Sequence, residues 1–244
     1  KRIGAQGSRS EFSVLSRSIN PESKIWSSQS VYGVNMNRGL PEPSTAAYRV
    51  GANQTDSRVQ LNNSMGYSKG NYSLETRQSI FYSNQSYTNA ISDILDTNYS
   101  NGSSLELINI WKWGKFSLTN QSQFQYFGIS GQNKPDTGIT SISNLTSLKY
   151  YISKTQYISI YNKSSYQDLI NGVGGSSPGI QFFSEYKKRE LDIHLKRIFR
   201  LPTMNDLFWS PGGNPNLIPE SGWDLKASFS LQNKYNIFKF EAFA

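Results

Sequence analysis

The chain has 244 residues, with 25 Lys and Arg against 17 Asp and Glu for a net charge of +8. Its mean hydropathy is −0.56 and its hydrophobic content 36%, yet 14% of residues are aromatic, which excludes the ring-poor composition of a disordered chain. No apolar run comes near the roughly 20 residues of a transmembrane helix. The lack of Cys excludes disulfide frameworks and thiolate chemistry, and a lone His excludes a multi-His metal centre.

Lys1-Arg2-Ile3-Gly4 is not followed by the apolar segment of a secretion signal. A first strand is expected near Glu11 to Ser18, before a turn at Asn20-Pro21-Glu22-Ser23. Val59, Leu61, Met65 and Tyr67 then share one parity, with Arg58, Gln60, Asn62 and Ser64 on the other. This period of two is that of a strand. It recurs in Tyr72, Leu74, Ile80 and Tyr82, and in Phe116, Leu118, Phe124 and Tyr126. Ile180, Phe182 and Tyr186 follow, then Leu191, Ile193 and Leu195. Trp223, Leu225, Ala227, Phe229 and Leu231 continue it, and Phe238, Phe240 and Ala242 end it. Parity breaks in the stretches Leu105 to Trp113 and Ile142 to Ile152, as it does at a β-bulge.

Short turns fall at Asn20–Ser23, Ser68-Lys69-Gly70, Gly114-Lys115, Ser153-Lys154, Lys187-Lys188-Arg189 and Asn233-Lys234. Between them lie polar stretches that read as long loops: Met36 to Asp56, Ser83 to Ser103, Ser130 to Thr140, Ser164 to Ser177 and Leu201 to Gly222. About twelve strands of 9 to 12 residues, with short turns at one end and long loops at the other, are the organisation of an outer-membrane β-barrel. Hydrocarbon offers the backbone no hydrogen bonds, so only helices or closed sheets can span it. The apolar parity is expected to face lipid and the Ser-, Asn-, Gln-, Thr- and Lys-rich parity a watery lumen. With six hairpins the chain starts and stops on the long-loop side, whereas a complete barrel has both termini on the periplasmic side. An internal piece of a longer barrel is therefore expected.

Phe199-Arg200-Leu201-Pro202-Thr203-Met204-Asn205-Asp206-Leu207-Phe208, followed by Pro211-Gly212-Gly213-Asn214-Pro215-Asn216-Leu217-Ile218-Pro219-Glu220, resembles the FRxPTxxxL[FY]…GNPxLxPE signature of TonB-dependent outer-membrane receptors of the cobalamin and siderophore type. Asn37-Arg38-Gly39-Leu40-Pro41 is a weaker echo of the RGxPG loop of such receptors, with Glu42 in place of the last Gly. The resemblance implies a barrel of about 22 strands filled by a plug domain. Residues 1–244 then form part of the barrel, with the plug and the C-terminal strands outside this sequence. It also implies a bacterial outer-membrane location, a small nutrient as ligand, and TonB, ExbB and ExbD as partners through the N-terminal part.

The site residues taken from the motif are Arg200, Pro202, Asp206, Leu207, Trp209, Gly213, Asn214, Pro215, Leu217, Pro219 and Glu220. Their elementary chemistry is that of a shaped loop. Each proline removes a donor and sets φ, glycine permits tight backbone, and Glu220 has a base available in Arg200. Ligand contact by Trp209, Asp206 or Asn214 is the alternative role.

Other motifs carry less. Gly175-Ser176-Ser177-Pro178-Gly179 matches G-x-S-x-G, but a nucleophile elbow needs a strand before it and a helix after it, so no catalytic residue is assigned. His194 alternates strictly within Leu191–Lys196, the position of a lumenal hydrogen-bonding side chain. Asp93 and Asp96 lack a third ligand for a cation. Asn-x-Ser/Thr triplets such as Asn120-Gln121-Ser122 fall inside strands. The basic residues Lys69, Lys115, Lys154, Lys187, Lys188 and Lys234 mark turns without forming a nucleic-acid face. The chain is thus expected to be a non-enzymatic, cofactor-free part of an active importer. A passive porin of about twelve strands and a soluble all-β adhesin or carbohydrate-binding module are the rival readings.

Overall fold

The computed structural model describes residues 7–20, 24–40, 52–89, 94–131, 134–168, 172–203, 206–207, 214, 216–232 and 236–243. They form strands β1 (Gly7–Asn20), β2 (Ile25–Leu40), β3 (Ala52–Lys69), β4 (Tyr72–Asn89), β5 (Ile94–Trp113) and β6 (Phe116–Gly131). These are followed by β7 (Lys134–Ser153), β8 (Gln156–Gln167), β9 (Val173–Tyr186), β10 (Arg189–Arg200), β11 (Glu220–Gln232) and β12 (Ile237–Phe243). All belong to one 12-stranded sheet in which each strand pairs with its neighbours in sequence. The fold is an up-and-down antiparallel meander.

The turns explain the connectivity. Gly70 (φ 58°) and Gly114 (φ 54°) occupy the left-handed region that a two-residue hairpin demands, and Lys187 (φ 55°) accepts it despite its side chain. Four of the six expected short turns join consecutive strands where the sequence places them, and residues 21–23 of the turn expected at Asn20–Ser23 lie outside the described residues, between the paired strands β1 and β2. The sixth, at Asn233-Lys234, lies outside the described residues, between the paired strands β11 and β12.

Three of the expected long loops are a correction. Ser83 to Ser103 is largely the ends of β4 and β5, Ser130 to Thr140 those of β6 and β7, and Ser164 to Ser177 those of β8 and β9. Strands run to 20 residues. The physical reason is that a ladder needs only backbone donors and acceptors. Alternation appears only where one face meets an apolar medium, so polar strand ends look like loops. At ~3.3 Å per residue the longest strands reach about 66 Å, whereas the apolar band of an outer-membrane barrel is about 25 Å tall. The suspected bulge in Ile142 to Ile152 is present. The β7–β8 register shifts between Tyr151 and Ser153, so that Ile152 has no partner on β8.

The sheet divides into two compact units. In the first (Lys1–Gly66, Thr76–Leu105 and Gln125–Thr140), the polar parity of β3 is wired along its length. Arg58 donates to Gln60 at 2.9 Å, Gln60 to Asn62 at 2.8 Å, and Asn62 to the Ser30 hydroxyl at 3.2 Å. Asp56 accepts from Gln54 at 2.8 Å and Gln85 at 2.9 Å, with Arg38 at 3.5 Å. The Arg58 guanidinium lies 4.5 Å above the Phe81 ring.

The second unit contains Tyr67–Glu75, Glu106–Phe124 and Ser141–Ala244. Its polar face carries Gln181 donating to Asp192 at 2.8 Å, Lys196 and His194 at 3.2 and 3.6 Å from Asp224, and Glu241 between Lys226 (3.0 Å) and Lys239 (2.9 Å). The opposite face carries Ile158, Ile160, Ile180, Ile193, Leu195, Leu225, Phe229 and Phe240, all exposed. Among the described residues only Ile139 and Leu207 are buried large hydrophobics. A soluble sandwich packs one face of each sheet on the other. Here the apolar face is left uncovered.

Candidate functional site

The motif begins where β10 ends. Arg200 is the last residue to pair with β11, opposite Glu220, and its guanidinium reaches Glu220 at 3.7 Å and Asp206 at 3.4 Å. Pro202 can neither donate to a ladder nor continue one, so the chain leaves the sheet. Thr203 and Asp206 then cap each other. The Thr203 N–H donates to the Asp206 carboxylate at 2.8 Å, and the Asp206 N–H donates to the Thr203 hydroxyl at 3.3 Å. One helical turn follows, closed by the Leu207 N–H on the Thr203 carbonyl at 3.2 Å.

Leu207 anchors this turn, with only 2% of its surface exposed. The far side of the loop is tied to it by the Asn214 N–H, which donates to the Asp206 carbonyl at 2.9 Å. Asn214 also accepts the Asn216 N–H on its side-chain oxygen at 3.0 Å and the Leu217 N–H on its carbonyl at 3.2 Å. This Asx arrangement turns the chain toward Pro219 and Glu220. The Thr203 N–H, then its hydroxyl, and Arg200 behind them, hold the Asp206 carboxyl below the usual aspartate range.

Arg200, Leu201, Pro202, Asp206, Leu217, Ile218 and Glu220 surround a cavity of about 140 Å³. Small-molecule sites are about 300 to 1,000 Å³. This volume suits a few waters, not a siderophore or a corrinoid. The motif residues Arg200, Pro202, Asp206, Leu207, Asn214, Leu217, Pro219 and Glu220 are therefore gathered as a loop clamp. Trp209, Gly213 and Pro215 lie outside the described residues.

The remaining sequence candidates do not converge. Ser177 sits in mid-strand opposite Lys163, with no elbow. His194 is paired with Gln181, four positions along β9 from Ser177, so the two are separated by about 13 Å along the strand. Asp96 lies in β5 and accepts from Asn98 at 3.2 Å, while Asp93 is outside the described residues. No group of three His, Asp or Glu side chains suited to a metal occurs among the described residues. In the RGxP-like segment Arg38 belongs to β2 and meets Asp56, and residues 41–42 are outside the described residues. The cluster that sequence reasoning passed over is the one around Asp56. Its signal was available in the unbroken polar parity Gln54, Asp56, Arg58, Gln60 and Asn62.

No family model and no curated protein matches the chain. Solved structures do. The copper transporter OprC aligns with a TM-score of 0.76 and 10% identity over 95% of this chain and 44% of its own. The siderophore receptor PirA from Acinetobacter baumannii aligns with a TM-score of 0.75 and 7% identity over 98% of this chain and 43% of its own. The alcaligin outer-membrane receptor FauA from Bordetella pertussis gives 0.69 and 10% over 97% and 43%. These matches are TonB-dependent receptors, and this chain has the fold of their β-barrels. It spans less than half the length of each.

Proposed function

We propose that this chain is barrel wall of a TonB-dependent receptor in the bacterial outer membrane, and that the whole protein imports a scarce nutrient such as a siderophore or cobalamin. The observation that carries this reading is the twelve-strand meander with an uncovered apolar face, matched to OprC over 95% of its length. The Phe199–Glu220 motif supports the receptor over a passive porin. The soluble module is disfavoured by the exposed apolar face.

In this reading residues 1–244 are one part of a larger barrel, with a plug domain and the closing strands supplied elsewhere in the protein. Outer-membrane lipid covers the apolar parity. The nutrient binds from outside on the loops and plug, and TonB with ExbB and ExbD transmits the energy that moves the plug. The barrel wall is a non-enzymatic, cofactor-free scaffold. The loop clamp at Arg200, Asp206 and Glu220 sets the path of one external loop.

Single Cys substitutions test the orientation. A membrane-impermeant maleimide on intact cells should label Asn216→Cys, and should reach Lys69→Cys and Lys188→Cys only after permeabilisation. The reverse pattern sinks the orientation. Uptake of a panel of ferric siderophores and cobalamin, compared with and without TonB, tests transport. Equal uptake in both strains argues for the porin.

A further inference from the structure

Four two-residue turns of the second unit share one end of the meander, joining β3 to β4, β5 to β6, β7 to β8 and β9 to β10. Each is basic. Lys69 stands at the edge of the first, Lys115, Lys154 and the pair Lys187-Lys188 lie in the other three, and Arg189 opens β10. All six residues are exposed. No turn holds a carboxylate, and the acidic residues nearest in sequence, Glu75, Glu185 and Glu190, belong to the polar parity. The ion pairs of this unit use Lys196, Arg200, Lys226 and Lys239, which leaves the turn lysines without a carboxylate partner among the described residues.

The same end carries a belt of rings on the apolar parity. Tyr72 and Trp111 lie 5.6 Å apart, Trp113 and Phe116 6.1 Å, and Phe116 and Tyr150 5.1 Å, so rings adjoin from β4 through β5 and β6 to β7. Trp111, Trp113, Phe116 and Tyr150 are all exposed. Further along the sheet, the exposed Tyr186 ends β9, paired with Arg189 and with the Lys187 ammonium 5.3 Å from its ring centre. Positive charge thus adjoins the rings directly.

Outward rings of this kind mark the level where hydrocarbon gives way to headgroups. No turn is longer than two residues, so at ~3.3 Å per residue its charges stay within about 7 Å of the strand ends, inside the Debye length of about 8 Å at physiological salt. They cannot move away into water. An anionic lipid surface attracts each such lysine by a factor of about five. The charges are spread over four hairpins along the outer edge of the sheet, which matches a row of phosphodiester headgroups and not one compact ligand. We infer that Lys69, Lys115, Lys154, Lys187, Lys188 and Arg189 form a collar that gathers anionic phospholipid, of the phosphatidylglycerol kind, from the leaflet on the turn side.

The inference rests on the membrane reading proposed above. Its test uses the full-length protein in vesicles of phosphatidylcholine with a minor share of phosphatidylglycerol. After extraction in mild detergent, the lipid that stays bound is measured by mass spectrometry. The expected result is phosphatidylglycerol enriched over its share of the vesicle, with the enrichment falling at least about fivefold in a combined Lys69→Gln, Lys115→Gln, Lys154→Gln, Lys187→Gln and Lys188→Gln variant. Arg at the same five positions should keep it, as should Lys196→Gln with Lys226→Gln on the polar parity. Raising salt from ~0.1 M to ~1 M shortens the Debye length from about 10 to about 3 Å and should release the lipid. No enrichment in the wild type, enrichment indifferent to salt, or equal enrichment in the Gln variant overturns the collar. Co-sedimentation with purified peptidoglycan that needs the same lysines, in place of lipid enrichment, overturns it in favour of a cell-wall contact. If the Gln variant does not fold, judged by heat-modifiable gel mobility, the salt response of the wild type decides. A wild-type protein that does not insert into the vesicles overturns the membrane reading itself, an outcome distinct from an inserted protein with no lipid preference.

Discussion

Asp206 shows how few groups shape the motif loop. Its carboxylate accepts the Thr203 N–H and sits near Arg200, while its own carbonyl accepts from Asn214. Because these contacts lower its pKa in the folded loop, they stabilise the loop above the unfolded value of about 3.9 and are lost as pH falls through the lower folded value. Protease nicking between β10 and β11 should therefore increase below about pH 4 in the wild type. Asp206→Asn should show raised nicking already at neutral pH and no further step in acid. Unchanged nicking in that variant would show that the carboxylate does not hold the loop. The motif was legible as a pattern, and the prolines announced the end of β10. The Thr203–Asp206 cap has a readable signal in the spacing Thr203-x-x-Asp206, whereas the Asn214 tie does not, because it joins the backbone N–H of Asn214 to the backbone carbonyl of Asp206.

Among the elements, β11 gives the sharpest comparison of the two faces. Phe229 is exposed on the apolar side, opposite Leu191 of β10 and Phe240 of β12. Ser228 is on the other side, between Asp192 and Glu241. Phe229→Arg should impair assembly by roughly 2 to 4 kcal/mol if it lies near the midplane. Ser228→Arg should be tolerated, since it enters between two carboxylates. Quantified folded barrel in outer membranes reads both, and equal damage would show that β11 does not cross a bilayer. Strand parity was legible in β11 because Leu191, Ile193 and Leu195 of β10 and Phe238, Phe240 and Ala242 of β12 share its apolar face, while Asp192, His194, Lys196, Lys239 and Glu241 share its polar one. It was illegible in the outer halves of β4, β5 and β7 to β9, where Asn, Ser and Thr occupy both parities and only the backbone ladder defines the strand.

At the scale of the whole molecule, the exposed rings and aliphatics exceed what water tolerates on a monomer. Strands β1 and β12 also end the pairing order of the 12-stranded sheet, each with one side unpaired among the described residues. Open edges template aggregation. Residues 1–244 expressed without detergent should aggregate, and light scattering should find no monodisperse monomer. A soluble monomer that unfolds cooperatively, followed by near-UV circular dichroism of its five Trp, would instead promote the soluble β-module.

One seam in the sheet is built differently from the rest. β8 pairs with β9 from Gln167–Val173 to Gln156–Ser184, but β9 pairs with β10 only from Tyr186–Arg189 to Gly179–Lys196. The next residue on β9 is Pro178, which has no N–H to offer β10. Beyond it the Phe199 ring lies where a Cβ on Gly175 would have to go, so packing replaces the ladder. In hydrogen–deuterium exchange, the inter-strand amides of Leu191 to Lys196 should hold their protons together, whereas those of Arg197 to Arg200 aimed at β9 should exchange early. The fold thus behaves as a zip whose upper teeth are missing on one row, and it is there, beside the motif loop, that parting of the strands begins.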